Sequence, residues 1–174
     1  MKLEIIGKNK QISLKVIEKV EKNFNISFPN GYKDFLLKTN GGRVQECMVF
    51  KSNNERVEPF EVREFSSLER VEELLGYIKE ETDEFILNNE NEELFLSFYK
   101  YFKNKMFIIG ETYTSFDLSI CHSGENIGKV YCVDNVHDDE FLLLANSFDA
   151  FMNNFEPVTE EELETGKFHF QSEK

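Results

Sequence analysis

The sequence predicts an α+β fold in a single domain, with a mostly antiparallel or mixed sheet packed against several helices. Apolar residues at helical spacing occupy the beginning, middle and end of the chain, while strand-like segments cut by turn residues gather in the last third. The order helix, helix, strands, helices, strands, helix lacks the regular alternation of a parallel α/β sheet. With 174 residues, 14% of them aromatic and 18 of them Phe, the chain has ample material for one core, despite a charged fraction of 30%.

Ile12, Val16, Ile17, Val20 and Phe24 predict a first helix, with Ser13 as N-cap and an end near Asn25. The stretch FPNGYKDFLLKTNGG, residues 28–42, then offers two readings: a glycine-edged ligand loop or a short helix with firm ends. A phosphate cradle needs glycines leading into a helix N-terminus, where amide groups converge. Here the pair Gly41-Gly42 trails the apolar stripe of Tyr32, Phe35 and Leu36, and Asn40-Gly41 reads as a left-handed stop. Pro29 suits the start of the same helix.

Strands are expected at ECMVF (46–50) and around FEV (60–62), with Asn53-Asn54 as a turn and Pro59 marking an edge or a start. Ser66 and Glu69 stand at capping-box spacing before a helix carrying Leu68, Val71, Leu75 and Ile78 on one face. The segment EETDEFILNNENEE reads as a solvated connection, and NEELFLSFYKYFKN as a third amphipathic run grouping Leu94, Phe95, Phe98, Tyr101 and Phe102. KMFIIG (105–110), SFDLSICHS (115–123) and GKVYCVD (128–134) predict strands in an antiparallel meander, and FLLLA (141–145) follows them. A last helix starts near Ser147, carries Phe148, Phe151, Met152 and Phe155, and stops at Pro157; Thr159 and Glu162 would cap one further turn.

The net charge of -13 is uneven: residues 1–50 have a basic excess and the rest of the chain is strongly acidic. Such a field repels phosphate backbones, which argues against direct nucleic-acid binding and for a basic partner. Three cysteines, Cys47, Cys121 and Cys132, cannot all pair internally, and without a signal-like N-terminus they read as reduced thiols of a cytoplasmic protein. No apolar run approaches a membrane span.

Chemistry-bearing sets are weak. Cys121, His122, Cys132 and His137 match no zinc spacing, and adjacent strand residues point to opposite faces. Asp134, Asp138 and Asp139 lack the pattern of a calcium loop. Carboxylate pairs could be drawn almost at will from 33 acidic residues, so they carry no specificity. We therefore expect neither catalytic residues nor a metal or cofactor.

Three blocks stand in a characteristic order: FPNGYKDFLLKTNGG, FIIGETYTSFDLSICHSGENIGKVYCVDN and LANSFDAFMNNF. With Pro29, Tyr32, Phe35, Leu36, Asn40, Gly41, Gly42, Ile109, Gly110, Asp117, Ala145, Ser147, Phe148 and Phe151 they resemble the SUKH superfamily, the Smi/Knr-type domain group. The resemblance covers about residues 12–155, leaving 156–174 as a C-terminal extension. It implies a non-enzymatic bacterial immunity protein that binds and neutralises a cognate toxin domain; the other reading is an intracellular scaffold or regulatory module. The motif residues would build the scaffold. Partner contact would fall on exposed acidic groups, with Glu72, Glu73, Glu80, Glu81, Asp83 and Glu84 as one candidate patch and Asp138, Asp139 and Glu140 as another, as complements to a basic nuclease-type toxin. The segment from Lys79 to Asn104 looks longer than the family's usual connection.

Overall fold

The structure, a computed structural model, describes residues 3–45, 48–52, 55–88, 98–114, 116–134 and 140–164. Its elements, in chain order, are β1 (Ile5–Ile6), α1 (Leu14–Phe24), α2 (Asn30–Thr39), β2 (Gly42–Val44), β3 (Met48–Phe50), β4 (Val62–Phe65), α3 (Leu68–Asn88), α4 (Tyr99–Lys103), β5 (Met106–Thr112), β6 (Phe116–Cys121), β7 (Val130–Asp134), β8 (Phe141–Ala145), α5 (Phe148–Asn153), β9 (Phe155–Pro157) and α6 (Glu160–Glu164). The main sheet is antiparallel, with strand order β1-β2-β4-β5-β6-β7-β8. The short strands β3 and β9 pair separately. This is a single α+β domain.

Alternation along the strands gives the sheet two covered faces. Phe107, Ile109, Leu118, Ile120, Val130 and Cys132 enter the main core with residues of α1, α2 and α5. Met106, Ile108, Cys121 and Val133 enter a second cluster with Leu74, Ile78 and Tyr101 of α3 and α4. Tyr32 packs on Phe107 and Phe148 with ring centroids 5.6 Å and 5.2 Å away, so helix α2 is fastened to both the sheet and α5. Each buried aromatic of this kind contributes about 1.5–3 kcal/mol through burial.

Helix α2 is bounded as its sequence suggests. Pro29 precedes its first residue, and Asn40 closes it in the left-handed region with φ 48°. The side chain of Asn40 joins distant pieces of chain. Its Nδ2 donates to Lys10 O, and its Oδ1 accepts from Leu68 N, both at 2.9 Å. Its own carbonyl accepts from Asn9 Nδ2 at 3.0 Å. Gly41 and Gly42 follow at φ 81° and 126°, and a Cβ on Gly41 would lie 2.6 Å from Phe65 O. Only glycine fits so close a backbone crossing.

Several expectations need correction. Helix α3 continues to Asn88, where a solvated connection is expected, because Thr82 and Phe85 extend its inward stripe. Its start is capped by Ser67 rather than Ser66: Ser67 Oγ accepts from Arg70 N at 3.3 Å, while Leu68 N is served by Asn40. Strand β4 runs over Val62–Phe65, and Phe60 only bridges Phe50. In α4, Tyr101 is buried whereas Phe102 is 50% exposed, so they do not share an inward face; Leu94 and Phe95 lie outside the described residues. Val16, assigned to the inner face of α1, is 45% exposed. Helix α5 ends at Asn153, and Phe155–Pro157 form β9 instead of continuing that helix to Pro157. Strands β1 and β2, of two and three residues, are too short for a periodic signal.

The capping pair before α6 is realised. Glu162 Oε2 accepts from Thr159 N at 2.8 Å and from Thr159 Oγ1 at 2.9 Å, while Lys51 Nζ lies 3.1 Å from Oε1. The Thr159 backbone bond, then Lys51 and the Thr159 hydroxyl, lower the carboxyl from its ordinary 4.5 to about 2.

Two predictions follow from these contacts. Asn40→Ala removes two side-chain hydrogen bonds and puts a Cβ-bearing residue of poor left-handed tolerance at the helix end; urea unfolding should show a loss of about 2–4 kcal/mol with little change in slope. Asn40→Gly keeps the backbone geometry and should lose less. For Glu162, a folded value depressed below the unfolded one means stabilisation present above pH 4.5 and lost as pH falls through about 2. The helical Cα shifts of α6 should fade over that window, and Glu162→Gln should weaken them already at pH 7.

Candidate functional site

Helix α3 has 21 residues, and successive positions advance about 100° around the axis. Leu68, Val71, Leu74, Leu75, Ile78 and Thr82 face inward and are buried. The opposite side therefore carries Glu73, Glu80 and Glu84, a stripe about 17 Å long at 1.5 Å per residue, while Glu72 and Asp83 lie on the flank beside Lys79. Glu73, Glu80, Asp83 and Glu84 are exposed, and Glu72 is partly so.

These acids are not equivalent. Glu73 accepts from Arg70 Nη1 at 2.6 Å and from Tyr77 Oη at 2.9 Å. The Arg70 bond first, then the Tyr77 bond, lowers its carboxyl below the usual range, and the same contact raises the Tyr77 phenol. Glu81 stands a quarter-turn away from the stripe, partly buried, and accepts from Phe98 N at 2.7 Å. Its visible role is to tie α4 to α3. Glu140 is paired with Arg56, whose Nη1 lies 2.9 Å from Oε1, and that bond lowers its carboxyl. Asp138 and Asp139 lie outside the described residues. The structure thus brings the α3 acids together, while Glu140 belongs to a different contact.

The motif residues are committed inward. Tyr32 and Leu36 are fully buried and Phe35 is 8% exposed. The Tyr32 hydroxyl has no hydrogen-bond partner among the described residues, and burial holds it protonated well above the ordinary phenol range. Ile109, Ala145, Phe148 and Phe151 are buried too. Gly110 lies where the β5–β6 register shifts, and a Cβ there would sit 2.5 Å from Glu64 O. Asp117 Oδ2 accepts from Tyr101 Oη at 2.6 Å, so β6 holds α4. Ser147 Oγ accepts from Ala150 N at 3.1 Å and caps α5.

Among the described residues, no group of His, Cys, Asp and Glu could hold a metal ion. Cys121 and Cys132 are buried thiols, and Cys121 Sγ donates to Ser123 O at 3.1 Å. His122 is half-buried; burial first, and Lys105 second, push its imidazole below the ordinary value. Cys47 and His137 lie outside the described residues. Among the described residues, no helix is long and apolar enough to cross a membrane.

The inward motif residues, in this order on this sheet, agree with a family comparison. The model of the SMI1 / KNR4 family (SUKH-1) matches residues 11–154. The chain belongs to that family. The SUKH-1 match runs from the approach to α1 through α5 and includes every motif residue named above. A comparison with curated proteins finds no match.

Two contacts of this chain are not written in its sequence pattern: the Glu81–Phe98 tie and the Tyr101–Asp117 bond. Both join residues whose relation appears only after folding. Tyr101→Phe tests the second: losing a hydrogen bond to a carboxylate should cost about 1–2 kcal/mol in denaturant unfolding while leaving the α3 stripe in place.

Proposed function

We propose that this SUKH-1 protein is a non-enzymatic immunity protein that binds a cognate bacterial toxin domain of the basic nuclease type and occludes its active or substrate-binding surface. The family match over residues 11–154 carries this reading. The acidic outer face of α3 supports it, because the side chains the family motif specifies are consumed in the scaffold and leave that face for contact. A net charge of -13 favours encounter with a basic surface. An interface of inhibitor type would bury about 1,600 Å² in total, with apolar and aromatic anchors supplying most of the affinity and the acids supplying rate and register.

Co-expression tests the proposal. Cells expressing the C-terminal domain of a toxin encoded beside this gene should be rescued by this chain, and the two proteins should co-purify. Failure of both would leave the scaffold or regulatory reading. Steering is tested separately: the association rate should fall steeply with salt, and Glu80→Lys with Glu84→Lys should slow it about tenfold or more while changing dissociation less. A salt-independent rate would remove the α3 stripe from the mechanism.

A further inference from the structure

A second surface of α3 has the opposite electrostatic character. Between the C-terminal end of α1, the flank of α3 and the α4–β5 turn lies a hollow of about 570 Å³, with Ile26, Ile78, Phe102 and Met106 among its lining. It meets a shallower hollow of about 450 Å³ along Asn25, Ile26, His122 and Ser123, which both share. Ile78 and Met106 are buried in its floor, whereas Phe102 stands half-exposed at the lip.

The rim is basic. Lys79 and Lys105 line the deeper part and Lys22 the shallower one. None of these three makes an ion pair among the described residues, although the chain holds 33 carboxylates against 20 Lys and Arg. The carboxylates that also line the hollows do not balance them. Glu21 is occupied by Lys33 Nζ at 2.8 Å and by Phe28 N at 2.6 Å, which leaves Asp83. His122 lines both hollows, and its Nδ1 is buried without a hydrogen-bond partner among the described residues. An apolar floor, unpaired lysines and an unsatisfied polar atom are complementary to one kind of ligand.

We propose that this groove is a docking site for an acidic segment of a partner protein that inserts one or two apolar side chains between Ile78 and Phe102 and sets its carboxylates against Lys22, Lys79 and Lys105. A cavity of this volume matches side-chain anchors, and its extension past Ile26 and Ser123 gives room for the chain on either side. Charge complementarity selects the occupant. An acidic chain meets like charge over most of this protein, so the groove is where it gains rather than loses electrostatic energy, and this fixes its position. The inference rests on the groove's own residues and does not require the immunity role.

The test uses the full chain and a synthetic twelve-residue peptide with Leu and Phe at helical spacing and Glu elsewhere. Its counterpart carries Lys in place of Glu. In an amide-resolved NMR titration the acidic peptide should shift Ile26, Lys105, His122 and Ser123, and the basic counterpart should leave them in place. Lys79→Glu combined with Lys105→Asn should weaken the acidic peptide at least tenfold. Lys105 has φ 56°, a conformation that Asn tolerates well, so the fold should survive, as unchanged thermal unfolding would show. Phe102→Ala should weaken binding without touching the charges. Equal shifts by both peptides, shifts centred elsewhere, or binding of dodecanoate at these residues without binding of the acidic peptide would overturn the proposal.

Discussion

The fold turns on a single side chain at the end of a short helix. Asn40 stops α2 in the left-handed region and spends its amide on two segments that are remote in sequence: the N-terminal arm at Lys10 and the first turn of α3 at Leu68. Its position requires the next two residues to cross other backbone closely, which is why glycines follow: Gly41 against Phe65 and Ser66, Gly42 against Ile6. The crossing places β2 between β1 and β4, and β4 in turn leads directly into α3. One asparagine therefore sets the direction in which the sheet starts and the point at which the longest helix begins.

The second constraint is that both faces of the sheet are covered. Phe107 and Ile109 face α1, α2 and α5, while Met106 and Ile108, their neighbours, face α3 and α4. A helix packed in this way has one inner stripe and one outer one, so the polar residues of α3 are free of structural duty except where they reach a neighbour. Glu81 does reach one, Phe98 N, and Glu73 is held by Arg70 and Tyr77. Glu80, Asp83 and Glu84 remain as exposed charge. The scaffold thus divides the sequence into residues that determine shape and residues that determine what the shape attracts.

This division also explains what was legible beforehand. Tyr32, Phe35, Leu36 and the Asn40–Gly42 stop are local: helical spacing and left-handed backbone preference are written in adjacent residues, and their structural consequence could be read directly. The meander from β5 to β7 is legible because β6 alternates and Gly124 and Asn126 mark the turn between β6 and β7. Other features depend on partners far away. The two-residue β1 exists because β2 offers it a pairing edge, and β9 because β3 does. The eight residues following Glu80 read as a connection because they are acidic, and the inward stripe that makes them helical needs Thr82 to continue. Thr82 can occupy that stripe because its hydroxyl donates to Ile78 O at 2.7 Å, hiding its polarity within the helix.

The candidate surfaces follow from the same geometry. Because α3 packs one stripe of side chains against β5 and α4, it exposes a flank as well as an outer face, and the two are electrostatically unlike. Carboxylates line the outer face, while the flank is bordered by Lys79, Lys105 and Lys22 over an apolar floor. Side chains on one helix separated by about 100° of rotation can meet different partners or two parts of one partner. On a chain of net charge -13, a few lysines collected around one hollow have more consequence than the same number scattered, since each sits in a field that would otherwise favour pairing with a nearby acid. On α3 itself Glu80 and Glu84 point outward, whereas Lys79 stays at the groove together with Asp83, one turn further along the helix.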